Sequence, residues 1–100
     1  MRRMTYAVRW RENDGPEFAG GLAFERGGLE LSGTAAGRPT AHRELHYGDV
    51  RELYLDRLHV PALVLVMRDG DRVAIGSLQG LGALHELADR VAAGRSEVAG

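Results

Sequence analysis

No cysteine occurs in the chain. Disulfides, thiolate metal sites and a cysteine nucleophile are therefore excluded. Lysine is absent too, and all 13 basic residues are arginine. Ile, Asn and Gln occur once each, as Ile75, Asn13 and Gln79. Together with abundant Gly and Ala, this is the bias of high-GC coding, as in actinobacteria. It accounts for the arginines without any selection for guanidinium groups. Charge of one sign is also missing: 13 basic residues face 14 acidic ones, for a formal net charge of −1. Such a balance gives no long-range attraction to nucleic acid or anionic lipid. No apolar run approaches the roughly 20 residues that a membrane-crossing helix needs. Met1-Arg2-Arg3-Met4-Thr5 is basic, but alternating residues follow it rather than the apolar stretch of a signal peptide. The expectation is a cytoplasmic protein with no membrane insertion.

What is present suffices for a core. The 100 residues, 44% of them hydrophobic, suit one domain spanning 1–100. Most of the chain reads as short strands, from about residue 4 to 78. The first runs from Met4 to Arg11, with Met4, Tyr6, Val8 and Trp10 on one face. Asn13-Asp14-Gly15-Pro16 is a turn. Phe18, Gly20, Leu22 and Phe24 then share an inward face, with Gly20-Gly21 marking a bend or bulge. Gly27-Gly28 turns the chain into Leu29-Glu30-Leu31-Ser32. A loop of small residues, Gly33 to Gly37, precedes a fourth strand from about Arg38 to Tyr47.

Gly48-Asp49 leads into Val50 to Arg57. Leu53 and Leu55 fall out of phase with Val50, which predicts a bulge. Val60 to Arg68 is apolar on both faces and reads as a central strand. Asp69-Gly70 predicts a two-residue hairpin turn flanked by Arg68 and Asp71. Val73 and Ile75 point inward on the seventh strand. From Leu81 to about Ala93 the apolar residues Leu81, Leu84, Leu87, Ala88 and Val91 recur at helical spacing. Gly94 is placed to end that helix, leaving a frayed tail, 95–100.

Three segments carry a resemblance to a known family. They are the hairpin from Gly20 to Gly33, the strand-turn-strand Leu45-His46-Tyr47-Gly48-Asp49-Val50, and Pro61 through Gly70 with Ile75 to Gly80 and the helix. Together they resemble the bacterial pleckstrin-homology (PH)-like domains. The resemblance implies a mainly β fold: a seven-stranded sandwich or partly open barrel of two orthogonal antiparallel sheets, capped by one C-terminal helix. The Leu81/Leu84/Leu87/Val91 stripe would cover the open end. PH domains that bind phosphoinositides present basic residues from the first hairpin. Here that loop is Glu12-Asn13-Asp14-Gly15-Pro16-Glu17, whose carboxylates repel a phosphorylated headgroup. Arg9 and Arg11 beside it are expected to pair with those carboxylates.

The remaining constellations have structural readings. His42, Glu44 and His46 alternate along one strand and suit zinc or nickel by residue type. Strand neighbours two apart diverge, so a site would need a bend or a fourth group such as His59. A solvated outer face is the expectation. Glu86 and Arg90 form an i,i+4 surface pair beside His85 and Asp89, and His85 has no evident nucleophile to serve. Asp69 and Asp71 offer too few oxygens for calcium. The paired glycines do not have the context of a phosphate loop. Trp10, Tyr6, Tyr47 and Tyr54 read as core rather than as a stacking platform.

No catalytic, metal or cofactor-binding residue is therefore assigned, and no cofactor is expected. The expected function is a non-catalytic interaction module. It would bind a protein or peptide, or a second copy as a homodimer, through a sheet edge or the helix face. The alternative is a small ligand or lipid held in a cavity under the helix.

Overall fold

A computed structural model describes residues 5–57 and 60–99. Seven antiparallel strands form one continuous sheet in the order β4-β3-β2-β1-β7-β6-β5. They are β1 (Thr5–Glu12), β2 (Phe18–Glu25), β3 (Gly28–Thr34), β4 (Ala41–His46), β5 (Val50–Asp56), β6 (Ala62–Met67) and β7 (Arg72–Ser77). A 3₁₀ turn, Tyr47–Asp49, joins β4 to β5, and helix α1 (Leu81–Ala99) closes the chain. The sheet curls into a half-barrel. Two separate sheets are not seen: pairing runs unbroken from β4 to β5, and the curl brings the inner face around one core. Met4, expected to open the first strand, lies outside the described residues, as does Gly100 in the expected tail.

Alternation sets the inner face. Tyr6, Val8 and Trp10 of β1 are buried, as are Leu22, Leu29, Leu31 and Leu45 from β2 to β4. Leu63, Leu65, Val73 and Ile75 complete the core from β6 and β7. The strand that reads as central, β6, is instead next to the edge, and β1 occupies the middle. Val64 and Val66 on the outer side of β6 are nonetheless buried, which explains its doubly apolar pattern. The register shift between Val50 and Glu52 is the bulge that the phase change predicts.

The tight curl between β2 and β3 needs a bare backbone at Gly20. A Cβ there would stand 2.5 Å from the Gly33 Cα. The Trp10 indole uses the same region, donating from Nε1 to the Ser32 carbonyl at 3.0 Å. At the β6–β7 hairpin the loop is one residue longer than expected. Met67 N–H bonds the Asp71 carbonyl at 2.8 Å, and Gly70 N–H bonds the Met67 carbonyl at 3.0 Å. Gly70 takes φ 96°. That is a three-residue loop with glycine in its left-handed position.

The helix departs furthest from the sequence reading. It does not stop at Gly94 but continues to Ala99, so 95–99 is not a frayed tail. Leu84, Leu87, Ala88 and Val91 are buried against the half-barrel, whereas Leu81 is 54% exposed. Gly94 is a contact surface rather than a terminator. A Cβ on it would stand 2.5 Å from the Tyr47 Cζ. One residue on, Arg95 Nε donates to the Val50 carbonyl at 3.1 Å, and its Nη2 donates to the Arg51 carbonyl. These bonds hold the last turns of the helix on the start of β5. Glu86 and Arg90 also face the sheet rather than only each other. Tyr6 donates its hydroxyl to Glu86 Oε1 at 2.6 Å, and the Arg90 guanidinium sits 4.6 Å from the Phe24 ring centroid.

Gly94→Ala separates the two readings of that glycine. In an ordinary helix interior the change stabilises by about 1 kcal/mol. Here the added methyl displaces the Tyr47 ring, and overpacking of this kind costs about 1–3 kcal/mol. Thermal or urea denaturation is expected to show a net loss of stability.

Candidate functional site

The half-barrel leaves two sheet edges, β4 and β5, and they are not equivalent. β5 carries the bulge, and Arg95 occupies carbonyls at its start. β4 is regular along its pairing with β3. Its outward backbone groups follow from one bond: Tyr47 N–H donates to the Gly27 carbonyl at 2.9 Å. Antiparallel ladders alternate, so the amides of Leu45 and Arg43 also turn toward β3. Those of His42, Glu44 and His46 turn away, along the free edge.

A groove of about 420 Å³ runs beside this edge. Arg43, Glu44, Leu45 and His46 form one side of it, and Asp49, Met67, Arg68 and Asp69 form the other. It lies between the end of β4 and the start of the β6–β7 loop. Leu45 and Met67 are buried and give it an apolar floor. Arg68 fixes the far wall: its Nε donates to the Gly48 carbonyl at 2.8 Å, and its N–H to the Asp49 carbonyl at 2.8 Å. Arg43 reaches the other way, with Nε 3.6 Å from Glu12 Oε1. Arg68 is thus hydrogen-bonded within the chain, whereas the buried Arg43 Nε has the ion pair to Glu12 and no hydrogen bond.

The structure places His42, Glu44 and His46 together on the exposed outer face of β4, as the alternation predicts. They do not converge as a ligand set. His42 Nε2 instead lies 3.0 Å from Glu30 Oε1 on β3. His59 lies outside the described residues. The grouping with metal-like spacing is a different one. Oxygens of Glu25, Glu30 and Glu44 fall within 4.8 Å of one another, because Glu30 pairs with Glu44 across β3 and β4. Glu25 and Glu30 were missed in the sequence, although the hairpin at Gly27 carries the register that aligns them.

Other candidates resolve into structure. Asp69 Oδ1 accepts the Asp71 N–H at 2.9 Å, and Asp71 Oδ1 accepts from Asn13 Nδ2 at 3.2 Å. His85 Nε2 stands 3.4 Å from Arg57 Nη2. Trp10, Tyr6 and Tyr47 are buried, but Tyr54 is 41% exposed on the outer face, against the core reading. Arg9 and Arg11 do not take the expected carboxylates. Glu12 faces Arg43, and the Arg9 guanidinium lies over Gly76, where a Cβ would come within 2.8 Å of its Nε.

Away from the edge, an apolar hollow of about 280 Å³ opens at the first turn of α1, lined partly by Pro61, Leu81 and Leu84. No helix among the described residues is long and apolar enough to cross a membrane. No protein-family model matches the chain, and no curated protein matches it.

The helix–sheet contact has a pH signature. Burial, and then the bond to Glu86, push the Tyr6 phenol above its ordinary value. Burial likewise raises Tyr47. A raised folded value means that stability is full below about pH 10, where the unfolded phenol titrates, and falls above it. The chain has no lysine or cysteine to titrate beside these tyrosines. Wild-type stability is expected to fall as pH rises above about 10. Tyr6→Phe is expected to flatten the fall, as read from urea midpoints at each pH.

Proposed function

We propose that the chain is a non-catalytic interaction module that receives an extended segment of a partner protein along β4. One observation carries this reading: the outward amides of His42, Glu44 and His46 border a groove with an apolar floor. Such an edge offers main-chain bonds to an added strand, and the groove offers pockets for its alternate side chains. Three points support β4 over β5 as the edge. β4 is regular, the groove lies beside it, and α1 already covers the start of its counterpart.

The same reading accommodates a PH-like fold, in which a curled sheet and a C-terminal helix present an edge to peptides. A mainly β half-barrel with one helix also suits other small barrels. Phosphoinositide and nucleic-acid binding are not part of the proposal, and neither is a cofactor. Symmetric pairing with a second copy is disfavoured in two registers. Centring on Glu44 sets two carboxylates opposite each other, and centring on Arg43 sets two guanidiniums opposite. A small apolar ligand is the second reading, favoured by the hollow at the first turn of α1. A fixed mass that co-purifies with the protein, seen by native mass spectrometry, would support it.

Proline tests the main reading because it removes an amide. At position 44 that amide faces the free edge, where proline is tolerated. Peptides selected from a displayed random library are expected to bind wild type and Glu44→Gln, the variant that keeps the amide and against which the proline change is read. Glu44→Pro, with its melting transition retained, is expected to lose at least about tenfold in affinity, roughly one hydrogen bond's worth. Undiminished binding to Glu44→Pro would refute strand addition at this edge.

A further inference from the structure

We infer that the segment taken up by β4 carries basic side chains at alternate positions with apolar ones between them. This rests on the strand-addition reading and adds the chemistry of the partner. A strand added to β4 lies about 4.8 Å away, with side chains alternating between the two faces. Those on the inner face descend onto Leu45 and Met67, which favour aliphatic or β-branched groups. Those on the outer face run beside Glu44, within cross-strand reach of its carboxylate.

The charges of the groove are lopsided, with the three carboxylates of Glu44, Asp49 and Asp69 against the guanidiniums of Arg43 and Arg68. Arg43 is held beside Glu12, and Arg68 is bonded to the Gly48 carbonyl. Glu44, Asp49 and Asp69 have no ion-pair partner among the described residues. An arriving strand therefore meets three carboxylates against two guanidiniums, one of them paired with Glu12. Lysine or arginine on its outer face gains attraction there, and aspartate or glutamate is repelled. An acidic or wholly apolar segment has no such match.

Two hexapeptides, each acetylated and amidated, provide the test: a Lys-Val repeat and a Glu-Val repeat. Fluorescence polarisation reads affinity, and amide chemical-shift changes on labelled protein locate the site. The Lys-Val peptide is expected to bind at least about tenfold more tightly, with the gap narrowing as salt rises from about 50 to 500 mM. The shifts should centre on His42, Glu44 and His46. Glu44→Lys is expected to reverse the preference, and Glu44→Gln to weaken it if the reversed charge perturbs the strand. Equal binding of both peptides at β4 would overturn the charge inference while leaving strand addition intact. Preference for Glu-Val would overturn it as well. Binding of neither peptide would overturn the strand-addition reading and the inference with it.

Discussion

The Tyr47 ring rests against the helix where any side chain at position 94 would have to be. That contact constrains the rest of the molecule. Tyr47 begins the short turn between β4 and β5, the two edges of the sheet. Fixing it under α1 fixes how far apart those edges lie. Arg95 adds a second point of attachment through the Val50 and Arg51 carbonyls. Helix, turn and β5 thus form one unit, and the core residues Leu84, Leu87 and Val91 are buried by the same docking.

A curled antiparallel sheet must either close or protect its edges. This one does neither completely. The bulge and Arg95 blunt the start of β5, and the helix lies over it. Among the described residues β4 receives no such cover, and its outward amides lie beside the groove. The asymmetry follows from which edge the helix meets. Arg68 reinforces it by tying the β6–β7 loop to the 3₁₀ turn, which holds the far wall of the groove away from β4. The proposed function therefore depends on the same contacts that stabilise the fold.

Period-two alternation made the inner faces of β1, β2, β3 and β7 readable, and the phase change at Val50 announced the bulge in β5. Such features are local. Strand order is not, so the apolar β6 looked central when it is next to the edge. The end of the helix was hidden for a related reason. Glycine after an amphipathic stretch ordinarily marks a terminus. Gly94 serves a contact with a residue 47 positions earlier, which no local pattern encodes. The candidate site was legible in part. The shared face of His42, Glu44 and His46 followed from alternation, but the groove depends on Met67 and Arg68 arriving from another hairpin. The exposure of Leu81 and Tyr54 likewise depends on where the helix and edge strands end up.

Amide hydrogen exchange along β4 tests the central claim most directly, because it asks whether this edge is open in solution. The account predicts alternation: slow exchange at Arg43, Leu45 and Tyr47, whose amides face β3, and fast exchange at His42, Glu44 and His46. Uniform protection of all six would contradict it, since the edge would then be paired with β5 or with another chain.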